Sequence, residues 1–300
     1  MIHKHFPFVL TLVAINKKTF EECYVYIQKI FIERNIAMPY SKKLSHYVVD
    51  IYFNCQPKEY NIIKKKIYLL NNKADLLIQK VKYRKKHLIA CDMDMTIINV
   101  ETINLINDNL LQNSQISNIT EKAMSGSINF KKSIIARTKL LKGINKKDIL
   151  KLTKKIKINK GVKSVIKTMN KFGYHTMLIS GGYDIIADTI AKEVGFKEVK
   201  CNSLEVINNK LSGSLKNTIV DKKGKLFHIK NTMKKKNIKK EMIIAVGDGD
   251  NDIEMIKYAG LGIGWNPYPK VSKVADISIG KEFKSILYFQ GYNDKEIILY

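Results

Sequence analysis

The sequence predicts an α/β protein built on a parallel sheet. Three short strand-like runs, at 88–91, 175–179 and 242–246, alternate with longer stretches in which apolar residues recur at helical spacing. Each run is followed directly by carboxylate, hydroxyl or glycine residues. Strands of a parallel sheet are buried on both faces and end at a common edge, where α/β proteins bind ligands. We therefore expect the polar residues after these runs to meet at one site.

A smaller α+β unit precedes this core and is predicted to span residues 1–83. Residues 8–14 and 46–53 are rich in β-branched and aromatic side chains, which predicts strands. The stretches 19–33 and 59–81 carry apolar residues at helical spacing, which predicts helices. The unit contains no catalytic constellation. A structural or dimerising module and a small-molecule-sensing module are both open interpretations.

The second domain is predicted over residues 84–290, after a basic hinge at 82–86. Mixed helical patterns from 101 to about 160, with one loop signal at 125–127, predict a helical cap inserted after the first core strand. The remaining predicted elements are a helix at 184–194, a hairpin at 200–216 with its turn at Asn208 and Asn209, a helix that opens at Lys222, and strands at 261–265 and 276–279.

Hydropathy and cysteine usage predict a cytoplasmic protein without a membrane span. No apolar run approaches the roughly 20 residues that a membrane helix needs. The apolar segment 6–14 could belong to a signal peptide, but Leu12 occupies the place where a small residue should precede cleavage, so we expect a strand there. The four cysteines are scattered and lack zinc spacing, which fits a reducing compartment.

The net charge of +26 raises the possibility of nucleic-acid binding. Only three of the 53 basic residues are arginine, and the lysines are spread along the whole chain without an aromatic stacking pattern. A spread charge is not a patch. We therefore expect solvated lysine faces and at most non-specific, salt-sensitive binding to nucleic acid.

The residues at the expected sheet edge indicate a metal-assisted phosphoryl site. Asp92 and Asp94 follow the first run, Ser180 follows the second, and Asp248 and Asp252 follow the third. Carboxylates crowded in this way need a cation, and Mg²⁺ suits an oxygen-only site. A solvated turn is the simpler reading of each segment taken alone. A calcium loop is excluded for both acidic segments, because neither has glycine at its sixth and glutamate at its twelfth position.

These motifs resemble the haloacid-dehalogenase-like phosphatases. The resemblance rests on D-x-D-x-T at 92–96, the Ser-Gly turn at 180, a downstream lysine and G-D-G-x-N-D at 247–252, and it covers about residues 84–280. It is closest to the branch of that family that hydrolyses phosphoserine in serine biosynthesis. It implies a Rossmann-like parallel-sheet phosphatase core with an inserted helical cap, Mg²⁺ dependence and an aspartyl-phosphate intermediate.

The resemblance also implies roles for individual residues. Asp92 would be the nucleophile and Asp94 the general acid and base. The implied metal ligands are Asp92, the main-chain carbonyl of Asp94, and Asp248, with Asp252 in support. The implied phosphate ligands are Ser180, Gly181, Lys223 and Asn251, although Lys222 and Lys225 compete with Lys223 for its role.

The cap residues that the resemblance assigns to the substrate are Glu101, Met124, Phe130 and Arg137. Glu101 would bind the ammonium group of an amino acid and Arg137 its carboxylate, since a guanidinium fork matches a carboxylate. The simpler interpretations are a helix-start acid for Glu101 and a surface ion pair for Arg137.

Two residues depart from the family pattern. Met95 replaces the usual serine, and Asp250 adds a carboxylate next to the expected metal site. The N-terminal unit weakly resembles a small amino-acid-sensing fold, and a homodimer is possible. The alternatives to hydrolysis of phosphoserine are an enzyme for another phosphomonoester, a nucleic-acid-binding protein and a regulator that senses serine through residues 1–83.

Overall fold

A computed structural model describes residues 6–37, 40–70, 72–124, 128–216 and 218–300. The described residues form a four-stranded antiparallel sheet, a six-stranded parallel sheet and a two-stranded hairpin. Within this described part, no helix is both long enough and apolar enough to cross a membrane.

The N-terminal unit is the predicted small α+β fold. Its elements are β1 (Phe8–Val13), α1 (Lys17–Glu33), β2 (Tyr40–Ser45), β3 (Val48–Phe53), α2 (Pro57–Tyr68) and β4 (Asp75–Lys80). The strand order is β2-β3-β1-β4, so the first strand lies between the third and the fourth. The buried residues of both helices pack with those of the sheet in one hydrophobic cluster.

One expectation for this unit is wrong, and one strand was not predicted. The predicted helix at 59–81 ends at Tyr68, and the run around Leu76 and Leu77 is strand β4, which pairs with β1. A short apolar run fits both periodicities, and pairing with a distant strand decides the outcome. Strand β2 was missed because it is an edge strand with mostly exposed residues, including Lys42 and Lys43, and therefore lacks an apolar pattern.

The second sheet is the predicted parallel core. Its strands are β5 (Leu88–Cys91), β6 (His175–Tyr183), β7 (Glu198–Asn202), β10 (Ile243–Gly247), β11 (Leu261–Trp265) and β12 (Ile277–Ile279). The order β12-β11-β10-β5-β6-β7 places β5 between β10 and β6. The helices that connect or follow these strands are α7 (Val162–Lys171), α8 (Asp184–Val194), α9 (Lys222–Lys235), α10 (Ile253–Tyr258), α11 (Pro269–Ser272) and α12 (Ser285–Phe289).

The cap combines helices with a hairpin. Its helices are α3 (Thr102–Ile106), α4 (Ser114–Met124), α5 (Phe130–Leu140) and α6 (Lys146–Leu152), with a π-helical turn at Asn107–Leu111. The hairpin is narrower than predicted: it consists of β8 (Leu204–Ile207) and β9 (Lys210–Leu215), because the residues up to Asn202 belong to the core sheet. The predicted loop at 125–127 lies outside the described residues.

Backbone hydrogen bonds attach the hairpin to the cap helices. The Gly143 N–H donates to the Leu211 carbonyl, and the Leu211 N–H donates to the Ile144 carbonyl, both over 2.9 Å. The hairpin is therefore joined to the cap through the segment between α5 and α6.

The predicted basic hinge contains a buried ion pair. The Arg84 guanidinium donates to both carboxylate oxygens of Asp50 over 2.7 and 2.6 Å and to Thr11 Oγ1 over 2.9 Å. It also donates to the main-chain carbonyls of Phe289 and Tyr288, at the end of α12. Arg84 thus joins the N-terminal sheet to the core, and removing either charged partner would leave a buried charge uncompensated.

Asp75 lies at a second contact between these two parts and should make stability depend on pH. Its carboxylate is buried and accepts a 2.8 Å hydrogen bond from Ser285 Oγ, yet burial raises its pKa to about 6. The folded protein holds a proton that the unfolded chain releases. We therefore expect the free energy of unfolding to fall by about 3 kcal/mol as pH rises from about 4 to 7.

Asp75→Asn removes this contribution. In urea unfolding across that pH range, the variant should match the wild type near pH 4 and exceed it near pH 7. Asp148→Asn, at a carboxylate that is 43% exposed, is the control and should change little. A difference between Asp75→Asn and wild type that is independent of pH would contradict the assignment.

Candidate active site

Three neighbouring strands deliver polar residues to one edge of the core sheet. Asp92 follows β5, Ser180 lies near the end of β6, and Asp248 follows β10. The β5–β10 and β5–β6 pairs are in parallel register, and the Asp92 N–H donates to the Val246 carbonyl over 2.9 Å. The expected convergence of strand ends is therefore present.

A buried carboxylate cluster forms at this edge from Asp92, Asp248 and Asp252. One oxygen of each residue lies within 4.8 Å of the others. Thr96 Oγ1 donates to Asp248 Oδ1 over 2.7 Å. Asp252 Oδ2 accepts the N–H groups of Asp248 and Gly249 over 3.1 and 3.2 Å, which fixes the loop after β10. A methyl group at Gly247 would collide with the Asp252 carboxylate, so this close packing requires glycine.

Lys225, rather than the expected Lys223, is the lysine at the cluster. Its Nζ contacts Asp92 Oδ1 at 2.6 Å and Asp252 Oδ1 at 2.7 Å, and its side chain is fully buried. Lys223 is exposed on the first turn of α9. The phase of the helix explains the correction, because Lys225 lies on the same face as the buried residues Ile229 and Thr232.

The electrostatics of the cluster fit a divalent cation. Burial is the largest cause that raises the pKa of each of its carboxyl groups, to about 7 for Asp248 and for Asp252. Within the described chain, Lys225 is the ammonium group that contacts them, and it remains charged because its two carboxylate partners raise its pKa. Three ionised carboxylates and one ammonium leave two negative charges, which an oxygen-bound divalent ion would balance.

Asp94 is held apart from the cluster and has an available oxygen. Its Oδ2 accepts a 3.1 Å hydrogen bond from Thr102 Oγ1, whereas its buried Oδ1 has no partner among the described residues. Burial raises the pKa of Asp94 well above the usual range, and the nearby carboxylates of Glu101 and Asp92 raise it further. A protonated carboxyl group with one available oxygen is suited to donate a proton.

Met95, the first departure, turns the chain between Asp94 and Thr96. Its φ of 56° is left-handed, and its side chain is 40% exposed. The Met93 carbonyl accepts the N–H groups of Thr96 and Ile97 across this turn. The side chain of Met95 thus points away from the buried carboxylates, while the turn presents Thr96 to Asp248.

The predicted Ser-Gly-Gly turn, residues 180–182, is the last part of β6, where the pairing with β7 shifts register, and it offers donors next to the carboxylates. We keep the name Ser-Gly-Gly turn for these three residues. Ser180 Oγ accepts the Gly182 N–H over 2.8 Å, so its own hydrogen remains available for a ligand. Asn202 is fully buried; it donates to the Gly181 carbonyl over 2.8 Å and accepts the Val220 N–H over 2.9 Å. A methyl group at Gly181 would lie 2.9 Å from Phe130 Cζ, which places the cap against this turn.

Glu101 and Arg137 lie on the cap side of the site. Arg137 is 8% exposed, and its Nε has no hydrogen-bond partner in the described part of the chain. Glu101 is half-buried, and burial raises its pKa while Arg137 opposes the rise. A surface ion pair does not account for a buried guanidinium with an unpaired donor, which indicates an anionic ligand. The side chain of Met124 lies outside the described residues.

The carboxylates in the loop after β10 differ in their exposure to solvent. Asp250 is 62% exposed and lies 3.6 Å from Lys270, so its charge points to solvent. Asn251 is half-buried, and a methyl group at Gly249 would lie 2.7 Å from its Oδ1. The structure thus leaves Asp250 outside the buried cluster that holds Asp248 and Asp252.

Sequence reasoning missed three residues that support the site. Thr102, Asn202 and Tyr183 are polar, buried and hydrogen-bonded to site residues or to the cap. Thr102 directly follows Glu101, and Tyr183 directly follows the Ser-Gly-Gly turn, so adjacency was a usable signal for both. Nothing local singled out Asn202, whose partners lie 21 and 18 positions away in sequence.

Comparison with known proteins identifies relatives of this arrangement. The family model of the haloacid dehalogenase-like hydrolases matches residues 89–257. A phosphoserine phosphatase of Archaeoglobus fulgidus is 36% identical over 199 residues, which cover 66% of this chain and 58% of that protein. A phosphoserine phosphatase of Saccharomyces cerevisiae is 33% identical over 305 residues, which cover 97% of this chain and 98% of that protein.

A solved structure extends the likeness to three dimensions. The structure described as a phospho-aspartyl intermediate analogue of phosphoserine phosphatase superimposes with a TM-score of 0.63 and 34% identity. It covers 68% of this chain and 99% of that chain.

Proposed function

The chain belongs to the haloacid dehalogenase-like hydrolases and, among them, to the phosphatases related to phosphoserine phosphatase, and we propose that it hydrolyses O-phospho-L-serine to L-serine and phosphate. The observation that carries the proposal is the buried Arg137 guanidinium, with Glu101 beside it, on the cap side of the carboxylate cluster. A guanidinium and a carboxylate together recognise the carboxylate and ammonium groups of an amino acid. Sugar phosphates and other phosphomonoesters without an amino-acid group lack that pair.

The reaction proceeds in two displacements at phosphorus. The Asp92 carboxylate attacks the phosphorus of the substrate, a bond forms between Asp92 and phosphorus, and the ester bond to the serine oxygen breaks. Asp94 gives its proton to that oxygen, which leaves as the hydroxyl of serine. Asp94 then takes a proton from water, whose oxygen attacks phosphorus and releases phosphate from Asp92.

The other residues of the edge hold the phosphate during both steps. The Ser180 hydroxyl and the Gly181 N–H donate to its oxygens, and Lys225 neutralises part of its charge. Asp252 orients Lys225, since its Oδ1 contacts the ammonium group at 2.7 Å. Asn251 borders the same edge and is proposed to donate to phosphate.

Mg²⁺ is the proposed metal. Asp92, Asp248 and the main-chain carbonyl of Asp94 would hold it, with Asp252 in support, and it would neutralise phosphate charge during transfer. The choice of Mg²⁺ follows from the donor set, which consists of oxygens and includes no cysteine or histidine in the cluster.

The test is phosphate release from a panel of esters, with Mg²⁺ or with a chelator. We expect turnover that requires Mg²⁺ and prefers phosphoserine over phosphoethanolamine, which lacks the carboxylate, and over sugar phosphates, by at least about 100-fold in kcat/KM. Activity spread evenly over the panel would keep the phosphatase chemistry and overturn the substrate. Full activity with the chelator would overturn the metal.

Several further expectations are part of this proposal. A place as the last step of serine biosynthesis follows from the proposed product. Cys23, Cys55 and Cys91 are free thiols, which fits a reducing cytoplasm. The domain boundaries, a homodimer, serine sensing by the N-terminal unit and non-specific nucleic-acid binding remain predictions.

A further inference from the structure

A buried pair of hydroxyl groups joins the cap to the core beside Arg137. Tyr183 and Thr138 are 2% and 1% exposed, and their oxygens lie 3.0 Å apart. Thr138 Oγ1 also lies 2.7 Å from the Ile134 carbonyl, which can only accept, so the threonine hydrogen is used there. The Tyr183 hydroxyl is therefore the donor to Thr138. We call this contact the hydroxyl bridge.

The hydroxyl bridge holds one end of helix α5, and the Ser-Gly-Gly turn holds the other. Phe130, the first residue of α5, lies against Gly181, and Thr138 in its last turns contacts Tyr183. Both anchors belong to the short segment 181–183, which follows the phosphate-binding serine. A helix fixed at two points keeps its side chains in register with the turn, and Arg137 is the residue next to the second anchor.

The chemistry of the pair shows that the contact is specific. A tyrosine hydroxyl buried without a partner would cost free energy that a phenylalanine would avoid. With its hydrogen directed at Thr138, the Tyr183 oxygen keeps lone pairs for a neighbouring cation. Burial lowers the pKa of Arg137, and Tyr183 is the largest of the influences that oppose this.

We propose that Tyr183 and Thr138 are positioning residues that fix α5 over the Ser-Gly-Gly turn and thereby set Arg137 for the carboxylate of the substrate. This inference rests on the proposed function and deepens it. It predicts a loss that depends on the substrate carboxylate rather than a general loss of catalysis.

The test is Tyr183→Phe, which removes one oxygen and retains the ring. We expect kcat/KM for phosphoserine to fall about tenfold, the effect of one lost buried hydrogen bond, mostly through KM. We expect kcat/KM for phosphoethanolamine to stay within about twofold, because this ester has no carboxylate to misplace. The fall in kcat/KM for phosphoserine in Arg137→Lys serves as the reference for a direct loss of carboxylate recognition.

Thr138→Val and the double variant complete the design. Thr138→Val should reproduce the effect of Tyr183→Phe, and the double variant should be no worse than either single one, because both changes remove the same contact. Equal losses on the two esters, or additive losses in the double variant, would show a merely structural role and overturn the proposal.

Hydrogen exchange tests the hydroxyl bridge without any substrate. Amides of residues 130–140 should exchange faster in Tyr183→Phe than in the wild type, while those of α8 should not change. Unchanged exchange in α5 would overturn the hydroxyl bridge as a restraint on the cap. A wild-type enzyme that ignores phosphoserine would instead overturn the proposed substrate, which separates the two failures.

Discussion

Replacing Asp92 with asparagine should reduce kcat by at least about 10⁴-fold while leaving the fold intact. Asparagine keeps the size of the side chain but removes the charged oxygen that attacks phosphorus. It also removes one of three crowded carboxylates, and Lys225 keeps Asp252 as a partner at 2.7 Å, so we expect the variant to fold with at most a small loss of thermal stability. Phosphate release and a thermal melt, each measured with Mg²⁺, check both statements.

Acid quenching during turnover can show the covalent step directly. Acid quenching of wild-type enzyme during turnover of phosphoserine should leave phosphate on Asp92, and hydroxylamine should release it as expected for an acyl phosphate. Asp250→Asn is the control for Asp92→Asn, because it makes the same chemical change at a carboxylate near the site that is 62% exposed. It should retain turnover. Asp92→Asn that keeps more than about one hundredth of the wild-type rate would exclude the aspartyl-phosphate route.

Most of the site could be predicted because its residues follow strand ends. Asp92, Ser180 and Asp248 each come after an apolar run, and parallel pairing of those runs brings them to one edge. The order of the strands was not needed for this inference, since every parallel arrangement places carboxyl ends together. The chemistry of the carboxylate cluster follows from that placement.

The residues that could not be predicted depend on phase and on distant contacts. The choice between Lys223 and Lys225 is a choice between two faces of one helical turn, which the surrounding lysines obscure. The contacts of Asn202 join segments that are 21 and 18 positions away in sequence, so no local pattern marks them. In the N-terminal unit, the apolar residues of β4 also fit a helical spacing, and its partner β1, which decides the outcome, lies more than sixty positions earlier.

The two residues that depart from the family pattern lie next to the site in sequence but are exposed in the structure. Met95 and Asp250 both flank site residues in the sequence. The structure turns Met95 outward through a left-handed backbone and pairs Asp250 with Lys270 at the surface. Neighbours in sequence point in different directions where the backbone turns, so adjacency alone does not place a charge in a site.

Replacing Lys225 with methionine should reduce kcat/KM for phosphoserine by about 10³-fold and weaken inhibition by phosphate. Methionine fills a similar space but leaves Asp92 and Asp252 without the ammonium that contacts them at 2.6 and 2.7 Å. Removing one partner of a buried ion pair destabilises by about 3–5 kcal/mol, so the variant should melt earlier. Protonation removes the unpaired charges of Asp92 and Asp252 in the variant. The difference in stability between wild type and variant should therefore shrink as pH falls from about 7 to 5.

Lys223→Met is the matched control, since Lys223 occupies the same helical turn but is exposed. We expect it to change kcat/KM less than about twofold and thermal stability hardly at all. Lys225→Arg keeps the positive charge and separates lost activity from lost folding. It should be more stable than Lys225→Met, while its larger guanidinium still impairs turnover. If Lys223→Met were the inactive variant and Lys225→Met kept its activity, the phosphate would lie against the other face of α9. Because Lys225 alone of the two contacts the nucleophile, the ratio of the two losses measures how directly a positive charge beside Asp92 supports phosphoryl transfer.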